Sequence, residues 1–306
     1  MDTSVIIPVY NEEGNVKILY NELKGVLDRS KQDYEIIFID DGSTDSTFNV
    51  LKELNKKDKH VKAIQFTKNF QKAAALTAGF REAKGNAIIT MDGDRQDDPN
   101  EIPRLLEELK RCDLVVGWRR NRADGIAKKL PSLVFNSLIR ALTGLRLHDA
   151  DCNMRAMKDY VVKGINIYGG LYRYIPILAH NNGYSVREIM INHRRRVHGK
   201  SKYGITRLFN GTLDLMTVKF LMSYTKRPMH LFGSLGFAAS LLGSIFGLYL
   251  VAIKYLSGSS IANRPLLFLA VLLVVIGIQF FSIGLIGELI TNHNNAGAHY
   301  LIKRKL

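Results

Sequence analysis

The sequence contains few cysteines and, towards its end, few acidic residues, and each of these shortages excludes some classes of protein. Its 306 residues include two cysteines, Cys112 and Cys152, so a disulfide-stabilised scaffold is excluded and a reducing compartment is expected. The chain opens on an apolar run without a basic stretch before it, so no cleaved signal peptide is expected. With 46% hydrophobic and 9% aromatic residues, it is too apolar for a disordered protein, and its length suits about two domains.

Only one acidic residue, Glu288, follows Pro228, where the composition changes sharply. That last part contains two uncharged apolar runs, 231–253 and 265–287, of 23 residues each. About 20 such residues suffice to cross a bilayer. Two full-length runs in succession argue against buried core helices, and they predict two transmembrane helices joined by a short hairpin.

Basic residues flank the two runs and predict their orientation. Lys219, Lys226 and Arg227 precede the first run, and three basic residues at 303–305 follow the second. By the positive-inside rule, both ends of the chain therefore lie in the cytoplasm. The net charge of +15 would also suit a nucleic acid. Anionic lipid explains the charge and the apolar runs together, so no nucleic-acid partner is expected.

Apolar strand-like runs alternate with segments of helical periodicity through the first half of the chain. The predicted strands cover residues 4–9, 35–39, 61–66, 87–91 and 114–116, and the predicted helices cover 13–29, 45–57, 71–84 and 99–111. Such alternation predicts an α/β fold with a parallel sheet covered by helices on both faces. Ligands of these sheets bind beyond the carboxyl ends of the strands.

Three polar clusters follow predicted strands, at residues 10–12, 40–43 and 92–96. In the third cluster, Asp92 and Asp94 lie one residue apart on a turn, where two carboxylates suit a hard divalent cation shared with a diphosphate. Gln96 offers a further oxygen ligand. Acidic turns are also common on ordinary protein surfaces, but the position of this turn directly after a buried strand favours a metal site.

Basic residues concentrate between 191 and 230, where nine Lys or Arg accompany one acid. Glycine and serine interrupt this stretch, as in a loop that folds over phosphate, and Arg and Lys are both suited to binding phosphate. A P-loop is excluded because the glycine that it requires at position 194 is arginine. Two further stretches, 133–142 and 205–220, have amphipathic helical spacing. They are predicted either to pack on the sheet or to lie in the membrane interface.

A further cluster contains Asp149, Asp151 and Arg155. Acids in so basic a neighbourhood can serve simply as ion-pair partners. Cys152 and His148 lie beside them, but the spacing fits no common zinc site. A dinucleotide cofactor is disfavoured as well, because no Gly-x-Gly-x-x-Gly follows a predicted strand.

Taken together, these motifs resemble family 2 glycosyltransferases, and among them the polyisoprenyl-phosphate glycosyltransferases, such as dolichol-phosphate mannose synthase and bacterial undecaprenyl-phosphate glucosyltransferases. The resemblance covers nearly the whole chain and is carried by the two terminal runs and by residues 8–12, 40–45, 92–99, 117–119, 149–155 and 196–203. It implies a GT-A (Rossmann-like) nucleotide-sugar-binding domain, an inverting mechanism and a Mg²⁺ or Mn²⁺ ion.

The resemblance also implies roles for individual residues. The nucleotide-binding positions are Pro8, Tyr10, Glu12, Ile39, Asp41 and Asp92, with Asp41 reading the base. The metal positions are Asp92, Asp94 and Gln96, the phosphate-binding positions are Arg119, Arg196 and Lys202, and the catalytic positions are Asp94, Asp149 and Asp151.

Some residues depart from the family pattern. Gly93 and Arg95 replace the commoner Ala and Leu, and residues 151–153 (Asp-Cys-Asn) replace Thr-Gly-Asp or Thr-Gly-Ser. The second departure leaves open whether Asp149 or Asp151 is the acid closer to the reacting centre.

The reaction that the resemblance implies is transfer of one sugar from a nucleotide-sugar, expected to be UDP-linked, to a polyprenyl phosphate, expected to be undecaprenyl phosphate. It would take place at the cytoplasmic face of the cell membrane. A phosphate monoester is largely ionised at neutral pH, so this acceptor has little need of a strong general base. The expected domains are a catalytic domain (1–204), an amphipathic juxtamembrane helix (205–228) and two transmembrane helices (229–306). The paired spans and the related enzymes suggest a homo-oligomer, with a tetramer as one form.

Three other functions fit part of the sequence. A processive polysaccharide synthase needs a Gln-x-x-Arg-Trp motif, which is absent because the only tryptophan is Trp118. A non-catalytic membrane scaffold that binds nucleotide sugar or lipid would not need its acidic turn together with Arg196 and Lys202. A transferase with a different lipid acceptor is the third alternative.

Overall fold

The computed structural model describes residues 1–119, 144–145, 147–194, 220, 228–257 and 265–294. The chain divides into two compact units, Met1–Val218 and Lys219–Leu306, and each is described by itself. The predicted amphipathic segment 133–142, most of the segment 205–220, and the predicted phosphate ligands Arg196 and Lys202 lie outside the described residues.

The first unit is built on a seven-stranded sheet in the order β3-β2-β1-β4-β6-β5-β7. The strands are β1 (Thr3–Val9), β2 (Tyr34–Asp40), β3 (Val61–Gln65), β4 (Ala87–Thr90), β5 (Leu114–Trp118), β6 (Arg155–Lys158) and β7 (Val186–Met190). The first four strands pair in parallel, and so do β5 and β7. However, β6 runs antiparallel between β4 and β5, so the expectation of a wholly parallel sheet was wrong. With only two apolar residues between Arg155 and Lys158, β6 gives no apolar run that would mark it as a strand in the sequence.

Helices connect the strands, and 3₁₀ turns stand at Pro99–Glu101 and Gly169–Tyr174. The helices are α1 (Glu13–Ser30), α2 (Thr47–Lys57), α3 (Gln71–Glu82), α4 (Ile102–Leu109), α5 (Asp159–Lys163) and α6 (Ile175–Asn181). The longest of them, α1, buries Val16, Leu19, Leu23 and Leu27, which recur every three or four residues and so share one face. Burial of each such side chain contributes about 1.5–3 kcal/mol, and this stripe fixes α1 on the sheet.

The strand arrangement brings the predicted polar clusters together. Neighbours β2, β1 and β4 are parallel, so the loops that follow them leave the same edge of the sheet. At Gly42, φ is +73° and a Cβ atom would lie 2.8 Å from the backbone nitrogen of Asn69, so the loops after β2 and β3 touch where only glycine fits. At Gly93, a Cβ atom would lie 2.7 Å from Val9 Cγ1. The acidic turn therefore packs directly on the end of β1, which explains glycine at that position.

The second unit contains two long helices, α7 (Pro228–Ser257) and α8 (Pro265–Asn294). Small residues let their backbones approach closely: a Cβ atom at Gly236 would lie 2.6 Å from the carbonyl oxygen of Gly277. Such contacts are typical of helices packed in a membrane. Both helices are long and apolar enough to cross a bilayer, and only 17% and 11% of their most apolar windows are buried inside the protein. Core helices of a water-soluble domain would be mostly covered.

Candidate active site

The loops after β1 and β2 are joined by hydrogen bonds at the sheet edge. The backbone N–H of Asn11 donates to Ser43 Oγ at 2.9 Å, and the backbone N–H of Thr44 donates to Asn11 Oδ1 at 2.8 Å. Asn11 has φ of 55°, a left-handed conformation that asparagine tolerates better than most residues. Beside it, the Glu12 carboxylate accepts a hydrogen bond from Asn15 Nδ2 at 2.6 Å. These bonds hold Tyr10 and Glu12 next to the Asp41 loop.

Asp41 is 5% exposed and its carboxylate accepts a hydrogen bond from the backbone N–H of Phe70 at 2.7 Å. Burial raises the pKa of Asp41, against the opposing effect of backbone hydrogen bonds from Phe70 and Gln71. Pro8 and Tyr10 are half-buried at the same edge. Ile39 has 0% exposure and its side chain lies against Gly79 of α3. Its side chain therefore lies in the core beneath the site, and its assignment as a nucleotide-binding residue stays a prediction.

Asp92 is held by three neighbours. Its Oδ1 forms an ion pair with the Lys72 ammonium of α3, and its Oδ2 accepts a hydrogen bond from Asn153 Nδ2 at 3.0 Å. Its backbone N–H donates to the buried Asp97 carboxylate at 3.0 Å. Burial opposes ionisation of Asp92, but the Lys72 charge outweighs that effect and lowers the pKa of the carboxyl.

Asp94 and Gln96 follow on the same turn. Asp94 is 7% exposed, and its Oδ1 accepts a hydrogen bond from the backbone N–H of Gln96 at 3.1 Å. Gln96 Nε2 lies 3.4 Å from His193 Nε2, and the Gln96 carbonyl accepts the backbone N–H of Arg194 at 2.8 Å. The turn that carries the two acids is thus tied to the segment that follows β7.

The donor chemistry of this turn fits a divalent cation. Among the residues that the structure describes, no three His, Cys, Asp or Glu side chains form a group that would hold a metal ion on their own. Mg²⁺ is usually held by one or two carboxylates together with substrate phosphates. The two carboxylates and the amide oxygen of this turn match that donor set, and the Lys72 ammonium shows that Asp92 accepts a cationic partner here.

Asp149 and Arg119 form a buried, bidentate ion pair. Arg119 Nε donates to Asp149 Oδ2 at 2.7 Å, and its terminal nitrogen donates to Asp149 Oδ1 at 2.9 Å. The backbone N–H of Asp149 donates to Glu188 Oε1 at 2.9 Å. His148 also contacts Glu188, at 2.7 Å, and stacks on Trp118 with ring centroids 4.2 Å apart. Arg119, predicted to bind phosphate, is therefore paired with Asp149.

Asp151 lies in a more open environment than Asp149. Its side chain is 24% exposed, and Oδ1 is 3.8 Å from Arg173 Nε. The turn that carries both acids is fastened by Arg155, which is 1% exposed. Its guanidinium donates to the carbonyls of Tyr172 at 2.7 Å and of Ala150 at 3.3 Å. Burial lowers the pKa of Arg155.

Three contributors were missed in the sequence: Lys72, Asn153 and His193. Lys72 could have been found, because α3 begins beyond the carboxyl end of β3, the same kind of position as the three polar clusters. Asn153 lies in the 149–155 stretch that carries the family resemblance, but its contact with Asp92 was not foreseen. His193 follows the edge strand β7. Both reach the site through tertiary packing that local patterns do not encode.

The sheet domain is of the GT-A type, and solved structures share this fold. Glucosyl-3-phosphoglycerate synthase from Mycobacterium tuberculosis, in complex with Mn²⁺, UDP and phosphoglyceric acid, superposes with a TM-score of 0.55 at 18% identity, over 72% of this chain and 78% of that chain. Mannosyl-3-phosphoglycerate synthase from Rubrobacter xylanophilus gives 0.54 at 12% identity, over 72% and 74%. At such identities the likeness concerns the fold alone.

Sequence comparison identifies the family. The model of glycosyl transferase family 2 matches residues 4–165. Dodecaprenyl-phosphate galacturonate synthase from Rhizobium johnstonii is 36% identical over 99% of this chain and 93% of that protein. Undecaprenyl-phosphate 4-deoxy-4-formamido-L-arabinose transferase from Yersinia pestis is 37% identical over 94% and 87%. The chain belongs to glycosyl transferase family 2, and its relatives include polyprenyl-phosphate sugar transferases.

Proposed function

We propose that the protein transfers one sugar from a UDP-linked donor to undecaprenyl phosphate at the cytoplasmic face of the cell membrane, with inversion at the transferred carbon. The observation that carries the proposal is the acidic turn of Asp92 and Asp94 beyond the sheet edge, in a chain that also has two largely uncovered apolar helices. The relatives that are named for polyprenyl phosphates match over almost the whole chain, which supports the same acceptor class here.

Asp92, Asp94 and Gln96 would hold a Mg²⁺ or Mn²⁺ ion. When bound, this ion stabilises the negative charge that develops on the leaving diphosphate. Tyr10, Glu12 and Asp41 would bind the nucleoside at the neighbouring loops, with Asp41 reading the base. Arg196 and Lys202 stay as predicted phosphate ligands on the strength of their motif.

Asp149 and Asp151 receive different roles. Asp149 is buried and bound at both carboxylate oxygens by Arg119, so we assign it as a positioning residue for that guanidinium. Asp151 is the more exposed acid, and we place it nearer the acceptor. The acceptor phosphate is already ionised at neutral pH, so Asp151 is not expected to remove a proton. It is expected to orient the phosphate nucleophile or the basic side chains that bind it.

We further propose that both chain ends lie in the cytoplasm, because the basic flanks of the two spans favour that orientation. The organisation into a catalytic domain (1–204), a juxtamembrane helix (205–228) and two spans (229–306) is part of the same proposal. So is assembly into a homo-oligomer.

Asp94→Asn tests the proposed metal site. It should lower transfer by at least about a hundredfold, the usual cost of losing one charge-stabilising group at a reacting centre, while membrane insertion is unchanged. Asp159→Asn is the matched control, since that carboxylate is exposed and pairs with Lys163 within α5. Transfer is measured as radiolabelled sugar in extracted lipid. Full transfer by the Asp94 variant would contradict the proposal.

A further inference from the structure

We propose that Lys72 is an internal counter-ion for Asp92. Its ammonium pairs with the carboxylate when no metal ion is bound and moves away when a divalent cation binds. This inference rests on the metal site of the proposed function and adds to it a residue and a linkage between metal and nucleotide. The juxtaposition that carries it is the ion pair between the Lys72 ammonium and Asp92 Oδ1.

The position of Lys72 is well defined by its surroundings. It lies in the first turn of α3, with its side chain 21% exposed. Its Nζ is 5.5 Å from the ring centroid of Tyr172, within the range of a cation–π contact. The carboxylate and the ring thus hold the ammonium in place, and the mostly covered position strengthens the ion pair relative to one on the open surface.

The other contacts of Asp92 do not offset the positive charge that a metal ion would add beside Lys72. Asn153 donates to Oδ2 at 3.0 Å, and Asp97 fixes the backbone N–H of Asp92. A divalent ion that binds Asp92 and Asp94 would lie beside the Lys72 ammonium, where like charges repel. Metal binding therefore has to displace Lys72 from Oδ1, and this competition weakens the affinity of the nucleotide-free protein for the metal.

A bound diphosphate changes this balance. Its negative charge offers the displaced ammonium a new partner at the same sheet edge, so the metal is no longer opposed by an unpaired lysine. Metal and nucleotide should consequently favour each other's binding, and the two effects are equal by thermodynamic linkage. Lys72 thereby discourages the enzyme from holding a metal ion without its donor.

The experiment measures Mn²⁺ binding by the electron paramagnetic resonance signal of the free ion, on the full-length protein in detergent, with and without UDP. Lys72→Met should tighten Mn²⁺ binding in the absence of UDP by at least about fivefold, the lower end of typical coupling between sites. The enhancement by UDP should shrink by a similar factor. Lys72→Arg, which keeps the charge, should resemble the wild type. Lys163→Met, which removes an exposed lysine paired within α5, is the control for net charge.

The outcomes separate this inference from the proposed function. Unchanged or weaker Mn²⁺ affinity in Lys72→Met would overturn the inference, while the metal site would stand if Asp94→Asn still abolished binding. No Mn²⁺ binding by the wild type, even with UDP, would refute the metal site and the inference together. Thermal melting checks that Lys72→Met is folded. If it is not, Lys72→Gln serves as the second variant without a charge at this position.

Discussion

Replacing Asp149 with asparagine should destabilise the first unit as a whole, because this carboxylate neutralises a buried guanidinium. The side chains of Asp149 and Arg119 are only 9% and 12% exposed, and two fork-like hydrogen bonds of 2.7 and 2.9 Å join them. Removing one partner of a buried pair costs about 3–5 kcal/mol. Asparagine keeps one acceptor oxygen, so the lower figure of about 3 kcal/mol is expected. For a unit of this size that corresponds to a fall in Tm of about 6–12 °C.

The only tryptophan makes the assay selective for this unit. Trp118 stacks on His148, the neighbour of Asp149, so its fluorescence during heating in detergent reports unfolding of the surrounding sheet. Asp151→Asn is the matched control. Its carboxylate is partly exposed and 3.8 Å from Arg173, and such pairs contribute about 0–1 kcal/mol. In an Asp149→Asn background, Arg119→Met should add little, because the two residues act as one unit.

Equal falls in Tm for Asp149→Asn and Asp151→Asn would refute this role of Asp149, and so would an unchanged Tm in Asp149→Asn. Strict additivity of Asp149→Asn and Arg119→Met would also contradict it. In each case the buried ion pair would not be what holds the loop.

Two further predictions concern residues outside the reacting centre. Asp113 is buried and accepts hydrogen bonds from Tyr160 and from Ser185 Oγ and N–H; burial opposes its ionisation, but these bonds lower the pKa of Asp113. The stability it contributes is therefore present above the unfolded pKa of about 3.9 and is lost as pH falls through the folded pKa. Asp113→Asn should lower the free energy of unfolding by about 2–3 kcal/mol at pH 7. The Tm of this variant should also fall less steeply below about pH 4, the unfolded pKa. Equal slopes of Tm against pH in the variant and the wild type would contradict this role. Gly42→Ala should lower the free energy of unfolding by about 1–3 kcal/mol, because position 42 has a positive φ. It should also weaken UDP binding, because the added Cβ moves the Asp41 loop away from residues 68–69. Unaltered Tm and UDP affinity would show that the loop contact is not needed.

Much of the fold follows from local patterns. The buried runs of β1, β2 and β4 and the helical spacing of α1 predict an α/β sheet, and parallel strands then require their following loops to share one edge. For this reason, strand periodicity alone predicts that the clusters around Tyr10, Asp41 and Asp94 lie together.

The rest depends on tertiary contacts that spacing does not encode. The antiparallel β6 has four residues and brings Asn153 to Asp92 from far along the chain. Asp149 and Asp151 are separated by one residue, and only the packing of Arg119 against Asp149 distinguishes the buried acid from the exposed one.

Transfer by the purified protein tests the proposed function most directly. The full-length chain in detergent or lipid is supplied with undecaprenyl phosphate, Mg²⁺ or Mn²⁺ and a panel of UDP- and GDP-sugars, and products are identified by mass spectrometry. We expect a metal-dependent lipid-phosphate monosaccharide with one UDP-sugar and none after chelation of the metal. Absence of product with every donor, while UDP still binds, would contradict transfer to this lipid and favour a non-catalytic scaffold or another acceptor.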